Sequence, residues 1–343
     1  MPESAHQERR ILVVRPDRIG DVVLSTPLVR ALRKRFPDAY LAELVRPYTA
    51  PVLEANPHLD EIIVDAPTGT EAGPAGFLRQ VSALRRRRFD TALMLLPSAR
   101  HAWMTFLAGI PERWGSSRKA YHALTRVNVV TRSYTPVRHE ADYCLDLARA
   151  IGAEDDGLDV EVFLSDGERN AAASLLGDGP FVGIHPGWGG SAPNWTIERY
   201  VELAGNLLVS RSDVRIVLTG AASEAHLAEH FAPLPAARVV DLMGKSDLRE
   251  TMSVISQLSV LVSASTGTMH LAAALGIPTV SLFCPLDSCS PALWGPLGNA
   301  AEVILPDEGF CSEQCPGDPH ICRFDGGISV TGVSAAVGAI LDR

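Results

Sequence analysis

The strongest constraint on the fold is a rhythm that occurs twice: a short apolar run, a polar turn, then a helix-length stretch with apolar residues at helical spacing. In the first half, Ile11-Leu-Val-Val14 is apolar throughout, as a parallel strand covered on both faces must be. The turn Arg15-Pro-Asp-Arg-Ile-Gly-Asp21 follows, and then a single helix is predicted over 22–36, with Leu24, Leu28, Ala31 and Leu32 at helix spacing. Further strands are predicted over 40–45, 62–64 and 91–96. In the second half, Phe181-Val-Gly-Ile184 restarts the pattern and leads into His185-Pro-Gly-Trp-Gly-Gly-Ser191. A helix over 197–210 and strands over 215–219, 260–263 and 279–283 come next. Strands alternating with helices through short loops indicate an α/β chain with parallel sheets. Residues 155–179, rich in Asp, Glu and Gly, read as a linker and the first helix beyond it. With the boundary near Ser165, the domains are 1–165 and 166–343. Two such halves leave a cleft where the carboxyl ends of their strands face each other, and ligands gather at such places.

Composition matters here for what it excludes. A formal net charge of −9 argues against a general nucleic-acid binder. Residues 1–10 are polar and charged, without the apolar core of a secretory signal. No apolar run is long enough to span a bilayer. A cytoplasmic chain is expected, with any membrane contact peripheral.

Three loops hold residues that a core would not need. The first ends at Asp21, where a helix begins. An N-cap is the ordinary role of Asp at such a place, and spacing alone favours it; the functional reading is a general base for a sugar hydroxyl. Arg15 and Arg18 in the same turn suit anionic sugars or phosphates, or are simply solvated charges. The second loop runs from His185 to Trp195. Its Gly187, Gly189 and Gly190 permit close backbone approach, and Ser191 and Thr196 add hydroxyls before a helix N-terminus, a diphosphate-type site. Neither a phosphate-binding G-x-x-x-x-G-K-[ST] loop nor a G-x-G-x-x-G after the first strand is present, which argues against ATP hydrolysis and nicotinamide chemistry. The third loop, Ser263-Ala-Ser-Thr-Gly-Thr-Met-His270, puts Ser265, Thr266 and Gly267 at a helix start, again an anion site. His270 lies in the first turns of that helix, where a lone His is more often structural than functional.

At these residues the chain resembles glycosyltransferase family nine, the ADP-heptose:lipopolysaccharide heptosyltransferases. The matching segments are Arg18-Ile-Gly-Asp-Val-Val-Leu-Ser-Thr-Pro27, His185-Pro-Gly187 leading to Trp195, Met243-Gly-Lys-Ser246, the stretch from Ser263 to Pro278, and Ser290-Pro-Ala-Leu-Trp-Gly-Pro296. They occur in family order over nearly the whole chain. The resemblance implies a GT-B fold, with two Rossmann-like domains facing each other across a cleft, and an inverting mechanism without a catalytic metal or other cofactor. It implies that the first domain takes the acceptor and carries the base, and that the second takes the nucleotide sugar. The last helix is a candidate to pack back on the first domain. By likeness, Asp21 is the catalytic base and Arg15 a basic position near the acceptor. Gly187, Ser265, Thr266, Gly267 and His270 belong to the donor site, with Glu224 at the ribose and Ser246 by the adenine. The implied partners are a nucleotide sugar, ADP-heptose, and a lipid A-core acceptor.

One position departs from the family pattern. Two residues before Trp195, where family members usually carry Lys or Arg against the donor phosphates, stands Pro193. Lys245, Arg15 or Arg18 must then supply the cation, or the donor and acceptor differ, as in a transferase for surface polysaccharide or protein glycosylation. A non-catalytic sugar-nucleotide-binding paralogue is the reading from a different class.

Two further features stand apart. Arg85-Arg-Arg-Arg88, preceded by Arg79, is a basic run in an acidic chain. It reads equally as a solvated helix end or as a surface drawn to an anionic membrane or to phosphorylated lipid A core. Cys311, Cys315, His320 and Cys322 fall within range of a structural zinc site, at a non-standard spacing, with free thiols the default.

Overall fold

Strand β1 (Arg10–Val14) shows how the first half is built. Its residues point alternately to the two faces of a sheet, and both faces are covered. Ile11 and Val13 pack with Leu28, Leu32 and Leu145, while Leu12 and Val14 pack with Leu84, Ala102 and Met104. A side chain of this kind contributes roughly 1.5–3 kcal/mol when fully buried, so an unbroken apolar run is what this position demands.

A computed structural model of the chain describes residues 9–68, 72–116, 119–190, 192–324 and 326–343. The chain divides into two compact units, Met1–Leu158 and Asp159–Arg343. In the N-terminal unit, β1 is joined by β2 (Tyr40–Val45), β3 (Glu61–Val64), β4 (Thr91–Met94), β5 (Glu112–Gly115) and β6 (Asn128–Val129). The sheet order is β3-β2-β1-β4-β5-β6, every pair parallel, with Leu12 opposite Ala42 on one side and Ala92 on the other. Its helices are α1 (Ile19–Val23), α2 (Thr26–Arg35), α3 (Gly73–Arg87), α4 (Ala99–Leu107), α5 (Ala120–Thr125) and α6 (Glu140–Ala150).

The C-terminal unit repeats this plan. Its helices α7 (Asp166–Leu176), α8 (Ile197–Ser210), α9 (Leu248–Ile255) and α10 (Gly267–Ala274) accompany β7 (Phe181–His185), β8 (Arg215–Leu218), β9 (Val239–Asp241), β10 (Val260–Ala264), β11 (Thr279–Leu282) and β12 (Ala301–Ile304). The order β12-β11-β10-β7-β8-β9 is the same winding, again wholly parallel. Two six-stranded parallel sheets with helices are the architecture of the GT-B class. The last helix, Val330–Leu341, packs on α8, β10 and β11 of its own unit, with Val330, Val333 and Val337 in that core. Among the described residues no helix is long and apolar enough to cross a membrane.

The single helix expected over 22–36 is two. Pro27 has no N–H to give to residue 23 and sits in the first turn of α2, where none is needed. The Ser25 hydroxyl bonds the carbonyl of Val22 at 2.7 Å and that of Thr26 the carbonyl of Val23 at 2.8 Å, occupying acceptors at the break.

In each doubly wound sheet the winding reverses between two neighbouring strands, and loops leaving their carboxyl ends splay apart to make a ligand crevice. Those strands are β1 and β4 in the N-terminal unit and β7 and β10 in the C-terminal unit. The turn after β1 carries Asp21. The loops after β7 and β10 are the two glycine- and hydroxyl-rich segments.

Candidate active site

Asp21 does not cap its helix. The N-cap of α1 is Arg18, and Asp21 lies in the first turn with its carboxylate on the buried guanidinium of Arg15, Nη2 to Oδ1 2.7 Å. Arg15 Nε also reaches the Asp21 carbonyl at 3.2 Å, which ties the turn to β1. The same Nη2 meets Glu140 Oε1 at 3.1 Å, and Arg132 Nη1 holds Glu140 Oε2 at 2.8 Å. Arg15 and Arg18, considered together in the sequence, therefore part company: Arg15 is buried among carboxylates, while Arg18 is exposed. Arg15 orients the acid rather than standing in solvent.

This enclosure sets the acid's strength. Burial pushes the Asp21 carboxyl up to about 6, against the opposing pull of Arg15. A carboxyl poised there is ionised at neutral pH yet holds a proton far better than an exposed one, as a general base requires. Beneath it Glu43 is fully buried, its Oε1 accepting from the Ser25 hydroxyl at 3.0 Å, and burial pushes this carboxyl up to about 7. At the ends of β3 and β4, Asp65 is also buried. It takes Arg100 through Nε (2.9 Å) and Nη2 (2.8 Å) and His101 Nε2 at 2.9 Å, and these bonds hold its carboxyl well below the usual range despite burial.

In the C-terminal unit the loop after β7 is closed from below by Glu224. A side chain at Gly187 would place Cβ 2.3 Å from Glu224 Oε2, so any larger residue must displace that carboxylate. The carboxylate accepts from the Trp188 N–H (2.7 Å) and the Ala221 N–H (2.8 Å), fixing the loop to the segment after β8. Asn194 is buried, donating to the Pro186 carbonyl at 3.0 Å and accepting from the Tyr200 hydroxyl at 2.7 Å. Asn194 thus staples the loop, and Pro193 beside it is buried too. Thr196 is the N-cap of α8; Ser191 lies outside the described residues.

His185 at the end of β7 joins this loop to the next. Its Nδ1 lies 3.1 Å from Thr219 Oγ1 and its Nε2 3.2 Å from Thr268 Oγ1 in the first turn of α10, and burial holds the imidazole below its ordinary range. Thr266 is the N-cap residue of α10 but makes no side-chain cap bond, and its buried hydroxyl oxygen has no hydrogen-bond partner among the described residues. Ser265 and Gly267 flank it, half-buried. The first turn of α10 therefore offers backbone N–H groups and an unengaged hydroxyl at the positive end of a helix. His270 is buried one turn further on. Ser246 Oγ lies 2.9 Å from Thr251 Oγ1, and Gly244 before it donates to the Gly220 carbonyl at 2.9 Å, which brings the 243–246 segment against the one carrying Glu224. Lys245 pairs with Asp241.

The zinc reading is corrected. Among the described residues no three His, Cys, Asp or Glu side chains are arranged to hold a metal ion. His320 Nδ1 turns instead to the Gly190 carbonyl at 2.6 Å, Cys322 is buried in the core with Phe310 and Phe324, and Cys315 Sγ accepts from the Gly317 N–H at 3.4 Å. Sequence reasoning missed Glu140, Arg132 and Glu43 as parts of these sites, and it placed His185 in the second loop without giving it a role.

With this geometry in place, the likenesses to known proteins are specific. The sequence model of glycosyltransferase family 9 (heptosyltransferase) matches residues 77–317. Lipopolysaccharide heptosyltransferase 2 of Escherichia coli (strain K12) is 30% identical over 316 residues, covering 88% of this chain and 89% of that one. Among solved structures, a family 9 glycosyl transferase from Veillonella parvula superposes with a TM-score of 0.84 at 21% identity, covering 99% of both chains. The E. coli ADP-heptose LPS heptosyltransferase II gives 0.78 at 26% identity, covering 97% of this chain and 98% of that one.

Proposed function

The chain belongs to glycosyltransferase family 9, the heptosyltransferases, and on that basis we propose that it moves a heptose from ADP-heptose to an inner-core sugar of lipopolysaccharide by an inverting, metal-independent displacement. The observation that carries the mechanism is the half-buried Asp21 carboxyl, held by Arg15 at the end of β1 and poised near 6. In this reading the acceptor hydroxyl attacks the anomeric carbon of the donor and its proton passes to Asp21. A bond forms from the acceptor oxygen to the anomeric carbon as the bond from that carbon to the phosphate oxygen breaks, and ADP leaves. The N-terminal unit takes the acceptor, with Arg18 exposed beside the acid. The C-terminal unit takes the donor.

The diphosphate then lies on the first turn of α10, where the Thr266 hydroxyl and the N–H groups meet charge that grows as the bond breaks. Gly187 allows close backbone approach, Glu224 serves the ribose and Ser246 the base. The acceptor is carried on lipid, so the enzyme works at the cytoplasmic face of the inner membrane. Pro193, buried and without charge, favours a second reading in which the same machinery uses another nucleotide sugar or acceptor. A thermal-shift panel of nucleotide sugars separates them. Stabilisation by ADP-heptose above the others supports the first, a different preferred donor supports the second, and no response to any nucleotide contradicts both.

A further inference from the structure

The side of the N-terminal sheet formed by α3, α4 and α5 has an unusual surface. The helices lie in series, α3 packed on α4 and α4 on α5. None contains an Asp or a Glu, in a chain with 40 acidic residues against 31 Lys and Arg. Cations directed inward are occupied: Arg87 on Glu61, Arg100 on Asp65, Arg113 on the Thr125 carbonyl. Those directed outward are Arg79, Arg85, Arg86 and Arg88, with Lys119 and Arg126 at the two ends of α5. Among the described residues Arg85, Arg86 and Arg88 form no ion pair. Between the last turns of α3 and α4 opens a cavity of about 440 Å³ with Arg10, Arg85 and Arg88 on its wall and one carboxylate, Asp90, from the turn after α3.

Interleaved with these charges are large apolar side chains that the fold leaves uncovered. Leu78 is 59% exposed on α3, Leu107 41% and Trp103 36% one turn apart on α4, and Leu124 67% on α5. Either feature alone is ordinary; three helices without a carboxylate of their own that present both form the pattern of a surface seated in a lipid headgroup region. Arginines there meet lipid phosphates through long stems, Trp prefers the interface, and leucines gain by leaving water. A nucleic acid would match the charge but would leave the four apolar side chains against phosphates or solvent.

We propose that the outer face of α3, α4 and α5 docks on an anionic phospholipid bilayer, with Arg85, Arg86 and Arg88 on the headgroup phosphates and Leu78, Trp103, Leu107 and Leu124 inserted among them. The docked face serves the lipid-borne acceptor and in that respect rests on the proposed function. The test is sedimentation of the full chain with phosphatidylcholine vesicles and with vesicles holding about one third phosphatidylglycerol. Binding is expected to the anionic vesicles alone, and to fade as salt shortens the screening length. Substituting R85E and R86E together is expected to weaken partitioning by roughly 25-fold or more, at roughly fivefold per arginine, and W103A to weaken it separately. All three sites are exposed, so unchanged melting curves check the fold.

Equal binding to both vesicle types, partitioning unaffected by the charge reversal, or tighter binding to duplex DNA than to the vesicles overturns the proposal. Transfer to a delipidated, water-soluble acceptor separates this idea from the proposed function. R85E/R86E is expected to leave it unchanged. Wild-type protein that binds anionic vesicles yet transfers nothing would retain the surface and remove the function.

Discussion

The guanidinium of Arg15 stands 2.7 Å from the carboxylate of Asp21, the cation buried just past the end of β1 and the acid half-buried in the first turn of α1. Two effects oppose each other there. Burial raises the acid's pKa and the cation lowers it, and the balance near 6 leaves a base that is ionised at neutral pH.

A pH profile reads that balance directly. Asp21 accepts a proton only when ionised, so kcat/KM is expected to fall about tenfold per pH unit below about 6 and to level off above it. Arg15→Met removes the group that opposes burial, so the acid limb should move to higher pH, and Arg15→Lys should return it partway. A limb that stays in place in Arg15→Met assigns the titration to some other group. The Met variant should also lose roughly 3–5 kcal/mol of stability, because Glu140 and Asp21 lose their shared cation.

Thr266 separates binding from folding. Its hydroxyl oxygen has no hydrogen-bond partner among the described residues, so Thr266→Val should leave the melting temperature unchanged or slightly raised. A hydrogen bond to a charged group is worth about 1.5–3 kcal/mol, so calorimetry should show ADP bound at least about tenfold more weakly. Undiminished affinity would clear Thr266 of contact with the diphosphate.

Gly187 is constrained by sterics. An alanine Cβ would lie 2.3–2.5 Å from the Glu224 carboxyl group, forcing it off the Trp188 and Ala221 N–H groups. Gly187→Ala should therefore lower the melting temperature, at about 0.5–1.5 kcal/mol for each hydrogen bond lost, and weaken donor binding. Gly189→Ala, where an added Cβ meets nothing within 4 Å, is the control and should change neither.

Much of this was legible before any coordinates. The strands beside the winding reversals, β1, β7 and β10, are covered on both faces, so their sequences are nearly unbroken apolar runs. The loops that follow them stand out because glycine and hydroxyl residues contribute little to packing. Strands away from the centre left weaker traces: β5 is Glu112-Arg-Trp-Gly115, β6 spans two residues, and β12 at the sheet edge alternates exposed with half-buried positions. The ionic cluster was illegible for another reason. Glu140 meets Arg15 across 125 residues of chain, and nothing in local spacing signals a contact formed only by tertiary packing. Reading Asp21 as a cap failed on the same ground: the partner that takes its carboxylate is a buried arginine, not the helix backbone.

The most direct measurement is transfer by Asp21→Asn, a nearly isosteric change, alongside its affinity for ADP-heptose. Asparagine accepts no proton at this pH, while the proposed donor site lies in the other unit. Turnover is expected to fall by about 10²–10⁴-fold, the usual contribution of a general base, with ADP-heptose bound as tightly as before. Turnover within a few-fold of wild type would contradict the assignment of Asp21 as the base.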